Sequence, residues 1–147
     1  MKERSSVEDL EVYQVARSFW KTMYGLARHL PDIEKFGLAS QIRRAALSLT
    51  NNIAEGHGRY HYLDQIRFTL QSRGSLEELI DDLNACEDEQ YFPEKEIASL
   101  KQEGWRVRQL IDGYIRYLRQ QKRSEEVGSV REASPYYDDT DDSRISI

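Results

Sequence analysis

Basic side chains recur along the last predicted helix at a spacing that suits contact with phosphate groups. Five of them fall within about 80° on a helical projection: Lys101, Arg108, Arg116, Arg119 and Arg123. Such a stripe can neutralise the phosphates of a nucleic acid, with an affinity that depends on salt and little on base sequence. The competing interpretation is a solvated face paired with an acidic helix, and Asp112 within the stripe favours it.

A second set of arginines surrounds the second predicted helix. Arg43 and Arg44 lie outside its apolar arc, and Arg59 follows a glycine-containing turn. Because the guanidinium group is planar and forms bidentate contacts, all three are candidate phosphate ligands. A purely structural role is the alternative, and the residue types do not decide between them. We interpret Asn52 and Glu55, near the same helix end, as structural residues that fix the following turn or bridge subunits.

Aromatic residues follow the same turn. The rings of Tyr60, His61 and Tyr62 lie beside Arg59 in sequence and offer surfaces on which exposed bases can stack. Rings of this kind more often belong to a core or to an interface, and we predict that role for them.

Metal binding and catalysis have little support in the sequence. Zinc normally takes three or four ligands, and a glycine turn separates His57 from His61, so no metal site is predicted. Cys86 continues an apolar series and is interpreted as a core residue. The adjacent acids of the third predicted helix suit a solvated face better than an acid–base pair, and no glycine-rich phosphate loop follows a strand. Neither an enzyme nor a cofactor is predicted.

Composition excludes several classes of protein. The chain has 147 residues, of which 39% are hydrophobic, so it is long enough for one domain and too apolar to be wholly disordered. A single cysteine excludes an internal disulfide framework and favours a cytoplasmic location. No apolar stretch approaches the roughly 18 residues of a membrane span, and no membrane partner is expected.

The net charge of −5 is distributed unevenly along the chain. Residues 1–123 are electrically balanced, whereas residues 124–147 contain seven acids and two arginines. Because this last segment lacks apolar periodicity, it is predicted to be an acidic disordered tail beside a folded domain of residues 1–123. Its aspartates can fold back on the basic stripe as phosphate mimics, or the tail can serve solubility alone.

Apolar spacing predicts four helices with short connections, and therefore an all-α, antiparallel up-down-up-down four-helix bundle. The predicted helices cover about residues 7–30, 38–55, 62–88 and 93–123. The first has a second apolar series, which indicates either a contact with another subunit or the edge of a wide core stripe. Gly56 and Gly58 are interpreted as a stop signal. The third is interpreted as continuous through Gly74, where a neighbouring backbone can approach.

Three stretches of sequence form a distinctive set. They are Ser-Gln-Ile-Arg-Arg-Ala-Ala-Leu-Ser at residues 40–48 with its continuation at 52–59, Leu-Glu-Val-Tyr-Gln-Val-Ala at 10–16, and Gly-Ser-Leu-Glu-Glu-Leu at 74–79. Together they resemble a bacterial four-helix-bundle family, the 23S rRNA-intervening-sequence proteins, which are encoded within intervening sequences of ribosomal RNA genes and elsewhere in genomes. The resemblance covers about residues 7–122 and implies the fold.

The resemblance also implies a function. The family is similar to the accessory proteins of diversity-generating retroelements, which form five-fold barrels and bind structured nucleic acid and a reverse transcriptase. A homopentamer is therefore expected, with structured RNA and a reverse transcriptase or another protein as candidate partners. The function predicted is that of a nucleic-acid-binding accessory protein; the alternative is a protein-interaction scaffold with no nucleic-acid contact.

Overall fold

A computed structural model describes residues 6–133, and side chains as far as residue 128. Within that range the chain forms four α-helices and no strand. They are α1 (Glu11–Arg28), α2 (Leu38–His57), α3 (Tyr62–Asp88) and α4 (Glu94–Ala133). The predicted all-α four-helix class is confirmed. No helix in the described range is both long enough and apolar enough to cross a membrane.

Contacts between helices show that neighbours run in opposite directions. Between α2 and α3, Ser75 Oγ donates a hydrogen bond to Ser48 Oγ at 2.8 Å, and Arg44 forms an ion pair with Glu78. The ion pairs between α3 and α4 also occur in opposite orders along the two helices: Arg73–Asp112, Glu77–Arg108 and Glu87–Lys101. Antiparallel packing with short connections gives the up-down-up-down order.

All four helices contribute to one apolar core. Its largest fully buried side chains come from every helix: Met23, Ile42, Leu49, Ile53, Leu76, Leu79, Leu83, Ile97, Ile111 and Leu118. Cys86 is fully buried in this core, as predicted. Burial raises the pKa of its thiol to about 11, which disfavours the reactive thiolate.

The second apolar series of α1 also packs inside the molecule. Val12, Phe19 and Leu26 are buried, and Val15 is partly buried against the core. A stripe this wide is typical of a helix with neighbours on two sides. Packing within one chain therefore accounts for the series, and no second subunit is needed to explain it.

Two predicted helix ends differ from the structure by more than about two residues. The segment Val7–Asp9 is a short 3-10 turn, capped by the Ser6 side chain, so α1 begins at Glu11 rather than near Val7. At the other end, α4 continues past Arg123 to Ala133. The prediction of an end near Arg123 was wrong because apolar spacing detects burial, whereas an exposed helix needs only favourable local contacts. Residues 134–147 of the predicted tail lie outside the described range.

The helix end predicted at Gly56-His57-Gly58 is confirmed, and Gly56 has a packing role in addition. A Cβ atom on Gly56 would lie 2.9 Å from Phe68 Cβ and 3.2 Å from the carbonyl oxygen of Gln65. The helix continues through Gly56 and ends at His57, and Gly58 beyond it has an ordinary right-handed φ of −76°. Gly56 is therefore required because α3 passes close to α2 at this point.

Gly74 has open space around it. The predicted continuity of α3 through this residue is confirmed. However, a Cβ atom added to Gly74 would meet no neighbouring atom of the described range within 4 Å. The close backbone approach expected at Gly74 is therefore not made by any described part of this chain.

We expect Gly56→Ala to lower the free energy of unfolding by about 1–3 kcal/mol, because the added methyl group overpacks the α2–α3 contact. Gly74→Ala is the matched control. It should raise the free energy of unfolding by about 0.5–1 kcal/mol, since alanine is the better helix former in open space. Urea unfolding followed by circular dichroism measures both, and an unchanged midpoint for Gly56→Ala would contradict the packing argument.

Candidate nucleic-acid interface

Acidic and basic side chains are matched along one part of the contact between α3 and α4. Three ion pairs bridge the helices there: Lys101–Glu87 at 3.2 Å, Arg108–Glu77 at 3.1 Å and Arg73–Asp112 at 2.8 Å. The hydrogen bond that Arg73 donates to Asp112 raises the pKa of Arg73. Pairs this exposed stabilise the fold only modestly. They nevertheless compensate the charges of Lys101 and Arg108, two members of the predicted stripe.

The matching does not extend to the C-terminal part of the stripe. Arg116, Arg119 and Arg123 are exposed, and none of them forms an ion pair within the described range. The antiparallel register places the first turns of α3 opposite them, where Leu63 and Leu70 are 45% and 44% exposed. These three arginines, which we call the open arginines, therefore carry uncompensated charge beside an apolar strip.

Nearby charged residues leave this imbalance in place. Arg67 in α3 forms an ion pair at 3.8 Å with Asp64 of its own helix. Lys122 forms an ion pair at 2.6 Å with Glu126 of its own helix. The open arginines themselves span about 10 Å along α4, so they can contact more than one phosphate of a nucleic-acid backbone.

The predicted arginines around α2 have partners within the protein. Arg43 Nη2 donates a hydrogen bond to the Lys35 carbonyl at 3.3 Å. Arg44 contacts Gln41 and forms an ion pair with Glu78. Arg59 forms an ion pair with Glu55 at 3.1 Å, and its guanidinium lies 4.8 Å from the centre of the Phe68 ring. Arg44 lies on the α2–α3 side of the bundle. The structure therefore does not gather all eight predicted residues on one surface.

The polar residues at the end of α2 make local contacts. Asn52 Nδ2 donates hydrogen bonds to the Ser48 carbonyl at 2.8 Å and to Ser48 Oγ at 3.0 Å. Glu55 pairs with Arg59 across the turn between α2 and α3. Both contacts fit the structural role predicted for Asn52 and Glu55.

A cleft of about 700 Å³ opens where the α2–α3 turn approaches α4. Four tyrosines line it: Tyr60, Tyr62, Tyr114 and Tyr117. Tyr62 is partly buried against the core, as predicted, but Tyr60 is 83% exposed and belongs to no core formed by the described residues. The sequence did not indicate the cleft, because its two pairs of tyrosines lie far apart along the chain and meet only through packing.

The residues considered for metal binding do not form a ligand set. Within residues 6–128, no group of three His, Cys, Asp or Glu side chains is placed to hold a metal ion. His61 instead packs edge-on against Tyr60, with ring centroids 5.1 Å apart.

The acidic face of α3 includes one carboxyl group that is not freely solvated. Asp81 is exposed, but Asp82 is partly buried. Burial raises the pKa of Asp82 to about 6, and the negative charges of Glu78 and Asp81 contribute to the rise, while Arg44 opposes them. Asp82 is thus partly protonated in mildly acidic solution, which reduces the negative charge of α3 there.

Comparison with known proteins gives one family. The family model described as 23S rRNA-intervening sequence protein matches residues 8–113, which cover α1, α2, α3 and the first half of α4. The description names no enzymatic activity. The open arginines lie just beyond the matched residues. No curated protein matches the chain.

We expect Asp82→Asn to raise the free energy of unfolding at pH 7 by about 1 kcal/mol. A pKa rise of about two units corresponds to roughly 3 kcal/mol, and the value is reduced because the group is partly solvated. The folded-state pKa of about 6 exceeds the ordinary value, so the wild-type protein loses stability as pH rises from about 4 to 6. The variant should lack this loss.

Urea unfolding at pH 4 and pH 7 measures the effect of Asp82→Asn. Its gain in stability should be largest at pH 7 and should disappear near pH 4. Asp81→Asn, at the exposed neighbouring position, is the control and should show a smaller dependence on pH. A gain for Asp82→Asn that is equal at both pH values would contradict the assignment.

Proposed function

The chain belongs to the 23S rRNA-intervening sequence protein family, and we propose that it is a non-enzymatic, oligomeric accessory protein of the cytoplasm that binds structured RNA. The open arginines of α4 are the proposed phosphate contacts. One observation carries this proposal: the ion pairs between α3 and α4 stop before Arg116, and the remaining arginines are exposed without an acidic partner in the described range.

An RNA phosphate must compete with acidic side chains for the paired residues of the stripe but not for the open arginines. A phosphate that approaches Lys101 or Arg108 must displace a carboxylate already 3.1–3.2 Å away. The open arginines need no such displacement, and their planar groups suit bidentate contact with phosphate oxygens. Contacts to phosphates position a nucleic acid without reading its sequence, so shape and salt concentration should govern the affinity.

The arginines around α2 already have contacts within the protein. Arg43 and Arg44 are bound to acceptors within the protein, and Arg59 is held by Glu55 and the Phe68 ring. Each can turn an exposed edge toward a phosphate, but only while it keeps or exchanges these contacts. We therefore propose that they add to binding less than the open arginines do.

We infer a homopentamer from the resemblance of the family to five-fold accessory proteins. A closed ring repeats the open arginines and raises the overall affinity through multivalency. Exposed apolar surface outside the arginine region supports an association between chains: Leu47 and Trp105 are 41% and 42% exposed. The same resemblance makes a reverse transcriptase a candidate protein partner.

The alternative function is a scaffold that binds proteins and makes no contact with nucleic acid. Ile33 and Phe36 in the connection between α1 and α2 favour it, because they are 84% and 90% exposed and form an apolar projection. Recovery of the same bound proteins from nuclease-treated and untreated lysate would favour the scaffold, whereas loss of RNA-dependent partners would favour the accessory protein.

The double variant Arg116→Glu/Arg119→Glu should bind a structured RNA at least about 10-fold more weakly in a gel-shift titration at low salt. Each lost phosphate contact should also reduce the slope of log affinity against log salt by about 1. The expected result follows from the loss of uncompensated positive charge.

The matched control is Lys101→Glu/Arg108→Glu, which changes the net charge equally but removes residues already paired with acids. Its effect on RNA affinity should be clearly smaller. Circular dichroism and light scattering should show unchanged helix content and oligomer mass for both variants. Equal losses in the two variants, or unaltered RNA retention by the first, would count against the proposed interface.

Static light scattering across micromolar concentrations tests the pentamer. The expected mass is close to five times the chain mass of 17.3 kDa, because a closed ring of five leaves no unfilled interface. A monomer mass over the whole range would reject the pentamer.

A further inference from the structure

The cleft beside the α2–α3 turn brings together aromatic rings from two distant parts of the chain. Tyr60 and Tyr62 come from the turn and the start of α3, and Tyr114 and Tyr117 come from α4. The rings of Tyr114 and Tyr117 are inclined by only 18°, with centroids 6.3 Å apart. We call this region the tyrosine cleft. Its volume of about 700 Å³ lies within the usual range for sites of small organic groups.

Several polar side chains of the tyrosine cleft make no hydrogen bond within the part of the chain that the structure describes. None of the four tyrosine hydroxyls forms a hydrogen bond with a protein group in the described range, and Gln121 at the rim makes none either. The Tyr114 hydroxyl is protonated at neutral pH and can donate a hydrogen bond, and burial raises its pKa further. A ligand that stacks on the rings can therefore also find donors and acceptors at its edge.

Two groups of opposite charge in its lining make the cleft electrostatically asymmetric. Arg59 lies at the side formed by the turn, with its side chain 47% exposed, and Glu125 of α4 lies among the lining residues. An attached phosphate is attracted toward Arg59 and repelled by Glu125. Tyr114 also lines a neighbouring groove together with Arg116, so this one open arginine lies next to the cleft, whereas Arg119 and Arg123 project from a different face of α4.

We propose that the tyrosine cleft binds an unpaired nucleobase of the RNA while Arg116, beside the cleft, holds the neighbouring backbone. The proposal rests on the proposed function and adds a second kind of contact to it. Flat aromatic side chains bind exposed bases by stacking, and this contact tolerates any base because each has a π-face. An amide such as Gln121 can hydrogen-bond the edge of the stacked base.

A second copy of the chain is a less suitable occupant. The most exposed aromatic residue of the described range, Phe36, lies in the α1–α2 connection, at the opposite end of the bundle from the α2–α3 turn. Insertion of that end into the tyrosine cleft would join chains end to end. Such head-to-tail contacts build open filaments unless their rotation closes a ring, so the cleft suits a small planar group better.

The test uses a single-stranded RNA hexamer that contains a fluorescent adenine analogue, and a second hexamer with an abasic site at the same position. Stacking quenches the fluorescence. Tyr60→Ala/Tyr117→Ala should bind the complete hexamer about 5- to 100-fold more weakly than the wild-type protein and should lose the quenching. Tyr60→Phe/Tyr117→Phe should retain both, because the rings remain. Phe36→Ala, which removes an exposed ring outside the cleft, should have no effect.

The abasic hexamer separates the two kinds of contact. It should bind the wild-type protein and Tyr60→Ala/Tyr117→Ala equally, whereas Arg116→Glu/Arg119→Glu should weaken the binding of both hexamers. Equal wild-type affinity for the complete and abasic hexamers would overturn the cleft proposal and leave the phosphate contacts standing. Failure of both hexamers to bind would overturn both. A changed oligomer mass with unchanged RNA affinity in the tyrosine variant would assign the cleft to protein contacts and overturn the proposal.

Discussion

The close contact between α2 and α3 determines the arrangement of the remaining surface. Small groups line it: Gly56 lies beneath Phe68, Ser75 bonds to Ser48, and the Ser72 hydroxyl donates to the Leu49 carbonyl. A helix that approaches this closely has little freedom to slide or rotate, because the surrounding core is densely packed. The position of α3 then decides which of its side chains meet α4, and so which basic residues are compensated.

Periodicity predicts much of this fold, because each helix buries one apolar stripe. The bounds of α3 agree with the prediction at both ends. The end of α4 does not, since the helix continues where there is nothing left to bury. The helix end predicted at Gly56-His57-Gly58 is confirmed, since α2 ends at His57 with Gly58 as its C-cap residue. The sequence did not show that Gly56 is also the point of a close crossing, because only the neighbouring helix reveals that contact.

The candidate site could be predicted from the sequence less fully than the fold. All members of the basic stripe are equivalent on a helical projection, yet Lys101 and Arg108 have acidic partners, whereas Arg116 has none in the described range. That difference depends on the register between two helices, which a single-helix projection does not contain. The tyrosine cleft likewise joins segments that are remote along the chain. Local patterns identified the residue types, and tertiary packing assigned their surroundings.

The length of α4 has a consequence for the electric field around the molecule. Its end at Ala133 lies about 15 Å farther along the helix than Arg123. The Debye length is about 8 Å at physiological ionic strength and about 30 Å at 0.01 M. The point at which residues 134–147 are attached therefore lies more than one screening length from Arg123 in physiological salt, but well within one in dilute buffer. The net charge of −5 is a sum over the whole chain, whereas a phosphate close to α4 in physiological salt interacts mainly with the charges within about one screening length of it.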